Sequence, residues 1–186
     1  MLAHAPRQPR SWLIWDVGQK VMSCIATLYV LPEAQRAAFS SAKEREPRVE
    51  EKKVLFFRFR KAIPGEHVWE FLDRESKEKT DLDFSGFLLV DYLFVYLQIS
   101  EKDYFERLDD CYSILPHRGS AALVAFLRDR PVDRAAIERY LKDDGRALAA
   151  SEREGTLAAY EEAHASLLDW CDSIGDSTFG VLHLSY

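Results

Sequence analysis

Phe84–Ile99, FSGFLLVDYLFVYLQI, is a run of sixteen residues that is apolar or aromatic almost throughout and carries a single acid, Asp91. A segment this apolar reads as a helix greasy on every side, the buried spine of a packed domain. It is too short to span a membrane, which takes about 20 apolar residues, and Asp91 sits near its middle. On a helix, the neighbours of Asp91 three and four residues away are Phe87, Leu88, Phe94 and Val95, so nothing local can neutralise it. Its partner must come from elsewhere in the fold. A carboxyl so placed serves either as a general base in a cavity or as a structural acceptor for an arginine, a tyrosine hydroxyl or water, and the structural role is the commoner.

Around this segment the chain offers material for one full core. It has 186 residues, 47% of them hydrophobic and 12% aromatic. Such a composition offsets its ordering entropy and argues for one folded domain, residues 22–186, behind an N-terminal extension, 1–21. Met22 opens that domain with MSCIATLYVL. Upstream, Asp16 cuts the apolar run SWLIW after five residues, below the roughly 7–15 of a signal-peptide core. Cys24, Cys111 and Cys171 lie far apart with no CxxC pair, so no disulfide framework or zinc site is expected. The expected setting is the cytoplasm, with no cofactor, no metal and no membrane.

Secondary structure follows from periodicity on both sides. Cys24 to Leu31 is rich in strand formers, and Pro32 and Glu33 open a helix bearing Ala34, Ala37, Ala38 and Phe39. Ser40 to Glu51 turns charged and contains Pro47, which predicts a loop. Val54 to Arg60 alternates like a half-exposed strand, and Val68 to Leu72 forms a short amphipathic helix. Asp81, Asp83 and Ser85 then read as caps for the central helix. Tyr104, Phe105, Leu108, Cys111, Tyr112 and Leu115 recur at helical spacing, as do residues in 120–127 and the segment restarted by Pro131 and Asp133. The stripe Leu157, Tyr160, His164, Leu167, Leu168, Cys171 and Ile174 predicts a last helix ended by a left-handed Gly175. Thr178 to Tyr186 predicts a closing strand with Val181 and His183 on one side and Leu182 and Leu184 on the other. The whole reads as α+β: a small mixed or antiparallel sheet formed by the N- and C-terminal strands, with several helices over one face and around the buried central helix.

Chemical motifs are sparse. Glu161 and His164 make an ExxH pair, the spacing used in di-iron bundles, but those bundles need a second ExxH and two further glutamates, and the sequence has no second copy. His164 in an apolar stripe reads first as a hydrogen-bonded core residue, and His67 and His183 likewise. There is no GxSxG, no phosphate-cradling glycine loop and no cysteine motif beside a histidine. The basic, aromatic segment Lys52–Lys61, KKVLFFRFRK, suggests single-strand stacking, yet residues 43–61 carry eight bases against four acids, +4, while the formal charge of −6 leaves −10 for the remainder. Nucleic acid is therefore disfavoured, and the cations read as guards of an edge strand.

The opening MSCIATLYVLPEAQRAAF, the segment HVWEFLD and the ending LAAYEEAHASLLDWCDSIGDSTFGVLHLSY together resemble the YfbM-like family of uncharacterised bacterial proteins. The resemblance implies an α+β fold in a bacterial protein and transfers no active residue. Two functions stay open on the residues themselves. The favoured one is a non-catalytic domain that binds another protein, a basic one, in the manner of an immunity or antitoxin partner; it requires an exposed acidic face around apolar residues. The other is a small-ligand binder or enzyme with a pocket at the central helix, in which Asp91 and His164 are the catalytic candidates and Arg58, Arg60 and Trp69 the ligand-binding ones.

Overall fold

The computed structural model describes residues 24–54, 57–143 and 150–185; at 48, 50–54, 57–61, 83–87 and 150–151 it describes the backbone alone. The expected extension at 1–21 lies outside the described residues. The first strand, β1 (Ile25–Pro32), and the last, β7 (Thr178–Ser185), pair antiparallel along their whole length, from Ile25 opposite Ser185 to Pro32 opposite Thr178. Joining the two ends of the chain through this central ladder fixes the middle of a five-stranded antiparallel sheet. Its order is β4 (Glu78–Ser85), β1, β7, β6 (Tyr112–Pro116), β5 (Glu106–Arg107).

Both faces of the sheet are covered, which explains why β1 reads as a nearly continuous apolar run. Leu28, Val30, Leu115 and Leu182 face one core, closed by α5 (His117–Arg128), α6 (Arg134–Asp143), α7 (Ala150–Asp172) and the central segment. Tyr29, Leu31, Ile114, Phe179 and Val181 face a second core, closed by α1 (Arg36–Glu44) through Phe39 and by α2 (Val68–Glu75) through Phe71 and Leu72. The expectation of helices over one face is thus corrected. Alternate strand residues point to opposite sides, so a strand with two apolar faces demands two layers. Among the described residues no helix is long and apolar enough to cross a membrane.

Four further expectations give way. Ser40 to Glu51 is not a loop: α1 continues to Glu44, burying Ala42, and Arg48 then starts β2 (Arg48–Val54), which pairs with β3 (Phe57–Ile63) in a separate two-stranded ribbon. Asp81, Asp83 and Ser85 belong to the backbone of β4, where Thr27 donates to the Asp81 carboxylate at 2.9 Å and Leu82 is buried. The helix expected from Tyr104 to Leu115 stops at once, as α4 (Glu101–Tyr104), and β5 and β6 follow. Asp109 then turns the chain from β5 into β6, its carboxylate accepting from the backbone N–H groups of Cys111 and Tyr112 at 2.7 and 2.8 Å. Gly175 is not left-handed; it enters a turn in which its N–H donates to Thr178 Oγ1 at 2.8 Å.

The central segment is the most irregular element. It begins as α3 (Gly86–Val90) and then widens over Asp91–Tyr96 into a π-helix, where the Leu97 N–H reaches back to the Tyr92 carbonyl at 2.9 Å. Gln98 ends it at φ 54°, and the Ile99 N–H closes onto the Leu93 carbonyl at 3.0 Å. It is not buried all round: Leu89, Asp91, Tyr92 and Leu93 are enclosed, whereas Val95 is 43% exposed. Single-turn π segments are rare and recur at functional sites, which directs attention to what this one presents.

Candidate functional site

Two consecutive residues of the π segment, Asp91 and Tyr92, meet two residues one turn apart on α7, Tyr160 and His164. The Tyr160 hydroxyl donates to one oxygen of the Asp91 carboxyl, and the Tyr140 hydroxyl, from α6, donates to the other at 3.1 Å. Asp91 itself is only 3% exposed. With no local base available, hydrogen bonds from distant residues are what satisfy its oxygens. Beside it, the Tyr92 hydroxyl and His164 Nδ1 lie 2.6 Å apart in a second buried hydrogen bond.

The rings of these residues form a continuous aromatic wall. Tyr92 stacks on Tyr96 at 5.9 Å and 20°, and meets Tyr160 edge-on at 5.4 Å and 82°. Tyr96 in turn contacts Tyr160 edge-on at 6.0 Å and Tyr140 at 5.3 Å. Edge-to-face and offset contacts of this kind satisfy the ring quadrupoles and add about 0.5–1.5 kcal/mol each beyond burial. The two tyrosines that hold Asp91 are therefore the two that buttress Tyr96. Asp91 acts from behind as the fixed point of the wall.

In front of the wall lies a cleft of about 440 Å³, lined by Tyr92, Tyr96, Leu97, Arg130, Pro131 and Val132. The connection from α5 to α6 forms its far side, held there by Asp133, whose carboxylate caps α6 through the N–H groups of Ala135 and Ala136 at 3.0 and 3.2 Å. Arg130 is the cation of the cleft. Its guanidinium lies 4.0 Å above the centre of the Phe126 ring, and Phe126 packs edge-on against Tyr104.

Burial acts on both partners of the Tyr92–His164 hydrogen bond. Burial, with a smaller contribution from Tyr96, holds the Tyr92 hydroxyl well above the ordinary phenol range, so it stays protonated. Burial pushes His164 below the usual imidazole range and leaves it neutral, with one ring nitrogen already engaged by Tyr92. Asp91 is not among the groups lining the cleft, and both its oxygens are occupied.

The sequence candidates thus separate. Asp91 and His164 come together. Glu161, the other half of the ExxH pair, points away and receives Arg134 at 2.6 and 2.7 Å on the surface. Trp69 is on α2, which packs on the sheet's opposite face, and stacks on His67 at 6.0 Å and 19°. The side chains of Arg58 and Arg60 lie outside the described ones. Among the described residues no group of three or more histidines, cysteines or acids is placed to hold a metal ion. Sequence reasoning missed Tyr92, Tyr96 and Arg130, and placed Tyr140 and Tyr160 only as apolar stripe members. The available signal was the recurrence of aromatic residues four apart, Tyr92 with Tyr96 and Tyr160 with His164, which sets both pairs on single helix faces.

Fold and site together define an antiparallel α+β domain with a tyrosine-walled cleft built on a π-helical turn. No protein-family model, curated protein or solved structure matches the chain.

Proposed function

We propose that this protein is a non-catalytic binding domain whose ligand is a small aromatic molecule held in the cleft before Tyr92 and Tyr96. The observation that carries this reading is the wall itself: Tyr92 and Tyr96 line a cavity of ligand size, and the rings behind them, Tyr140 and Tyr160, are held by one buried carboxyl. Rigid aromatic surfaces bind planar groups at little entropic cost. The protein-binding alternative needs an unneutralised acidic face. The acids around the exposed Leu108 are instead engaged by the chain's own cations, Glu106 by Arg36, Asp109 by Lys43, and Glu101 and Asp110 by Arg107. A cytoplasmic, bacterial setting is part of the same proposal; the free cysteines Cys24, Cys111 and Cys171 agree with a reducing compartment.

A screen of aromatic fragments by ligand-observed NMR tests it, run on the wild type and on Val132→Trp, which fills the cleft from its exposed side. Fragments are expected to bind the wild type and to lose contact with the variant. Hits that survive the substitution unchanged would place binding elsewhere and remove the proposal.

A further inference from the structure

The three arginines around the turn from α5 to α6 have different surroundings. Arg128 is paired with Asp172 at 2.7 Å, and Arg134 with Glu154 at 2.9 Å and Glu161 at 2.6 Å. Arg130 lies between them and, among the described residues, has no carboxylate within ion-pair distance. It is held by ring packing instead: the guanidinium sits over Phe126 at 4.0 Å, and the Arg130 N–H donates to the Leu127 carbonyl at 3.1 Å. A guanidinium packed by one face on a ring keeps its in-plane N–H groups available, the geometry that receives a planar oxyanion through two parallel hydrogen bonds. Arg130 lines the same cleft as Tyr96.

The other charges facing the cleft do not cancel this one. Asp133 is directed into the first turn of α6, where its carboxylate caps Ala135 and Ala136. Burial raises the Tyr96 hydroxyl above the ordinary phenol range, and Asp133 and Arg139 act on it in opposite senses. Arg130 remains as the cation without a counter-charge beside an aromatic and apolar wall.

We infer that the cleft selects an aromatic carboxylate, its ring against Tyr96 and the apolar Pro131–Val132 side, and its carboxylate on the Arg130 guanidinium. This rests on the binding role proposed for the cleft and adds the charge of the ligand to it. The neutral amide of the same ring would fill the cleft equally but could not form the paired ionic contact.

Naphthoate and naphthamide, alike in shape and different in charge, separate the two claims when each is titrated by calorimetry into wild type, Arg130→Gln and Tyr96→Ala. Naphthoate should bind the wild type more tightly than naphthamide, and Arg130→Gln should weaken naphthoate about tenfold while changing naphthamide by less than about twofold. Tyr96→Ala should weaken both, and Val132→Trp, a substitution at a half-buried wall position, repeats that arm if Tyr96→Ala fails to fold. Equal losses of both probes in Arg130→Gln, or none in either, would overturn the charge assignment while leaving the cleft as the site. Binding of both probes unaffected by Tyr96→Ala and Val132→Trp would overturn the binding role of the cleft, and the charge assignment with it.

Discussion

Asp91 shows how a costly residue becomes an organising one. A buried carboxyl is tolerated where its oxygens are hydrogen-bonded, and here the donors are two tyrosines from two helices. Asp91→Asn replaces one acceptor by an N–H₂ facing a phenol and should cost about 1–3 kcal/mol in urea unfolding. A double-mutant cycle with Tyr160→Phe should show a coupling of about 1 kcal/mol or more. Strictly additive losses would mean that the pair is not acting as one unit. The sequence made legible that Asp91 needs a distant partner, because its helical neighbours are all apolar. It did not make the partner legible, since a tyrosine in an apolar stripe packs the same way whether or not its hydroxyl has a task, and Tyr140 and Tyr160 read as core on spacing alone.

Among the elements, α7 and β7 are locked by one close approach. Gly180, in the middle of β7, faces the Trp170 ring and Ile174, and a Cβ there would lie 2.5 Å from both. Trp170 cannot easily retreat, because its indole N–H donates to the Tyr29 carbonyl at 2.9 Å. Gly180→Ala is therefore expected to destabilise the fold by about 1–3 kcal/mol, read from the denaturation midpoint, and a neutral result would show that the contact is loose. The same scale explains which elements the sequence reveals. β1 is readable as a run of apolar strand formers, and β7 and α7 from residue spacing. The strands β4 and β6 are not, because the acids of one look like helix caps and the apolar spacing of the other fits a helix until Asp109 turns the chain. The π turn is least readable of all, for its sequence DYLFVY carries the same apolar pattern as an ordinary helix, and only the tertiary demand of placing Asp91 and Tyr92 against α7 distinguishes it.

For the whole molecule, pH acts through its buried imidazoles. Burial lowers both His164 and His183, so the folded state holds them neutral at a pH where the unfolded chain, with imidazoles near the ordinary value of about 6.5, begins to protonate. The unfolded state then binds more protons, and stability rises with pH across that window. This contribution is fully present above about pH 6.5 and is lost as the pH falls below it toward the lowered folded values. The urea midpoint should be lower at about pH 5.5 than at about pH 7.5, and His164→Gln should flatten part of that slope. A slope unchanged by the substitution would show that His164 titrates in the fold as it does in water.

The proposed ligand surface of the molecule is the tyrosine wall of the π turn, not the outer face of α2 that bears Trp69. Amide chemical-shift mapping with naphthoate distinguishes the two. Perturbations are expected to concentrate at Tyr92, Tyr96, Leu97, Arg130 and Val132, with Trp69 and its neighbours silent. Shifts centred on α2, or none at saturating probe, would contradict this.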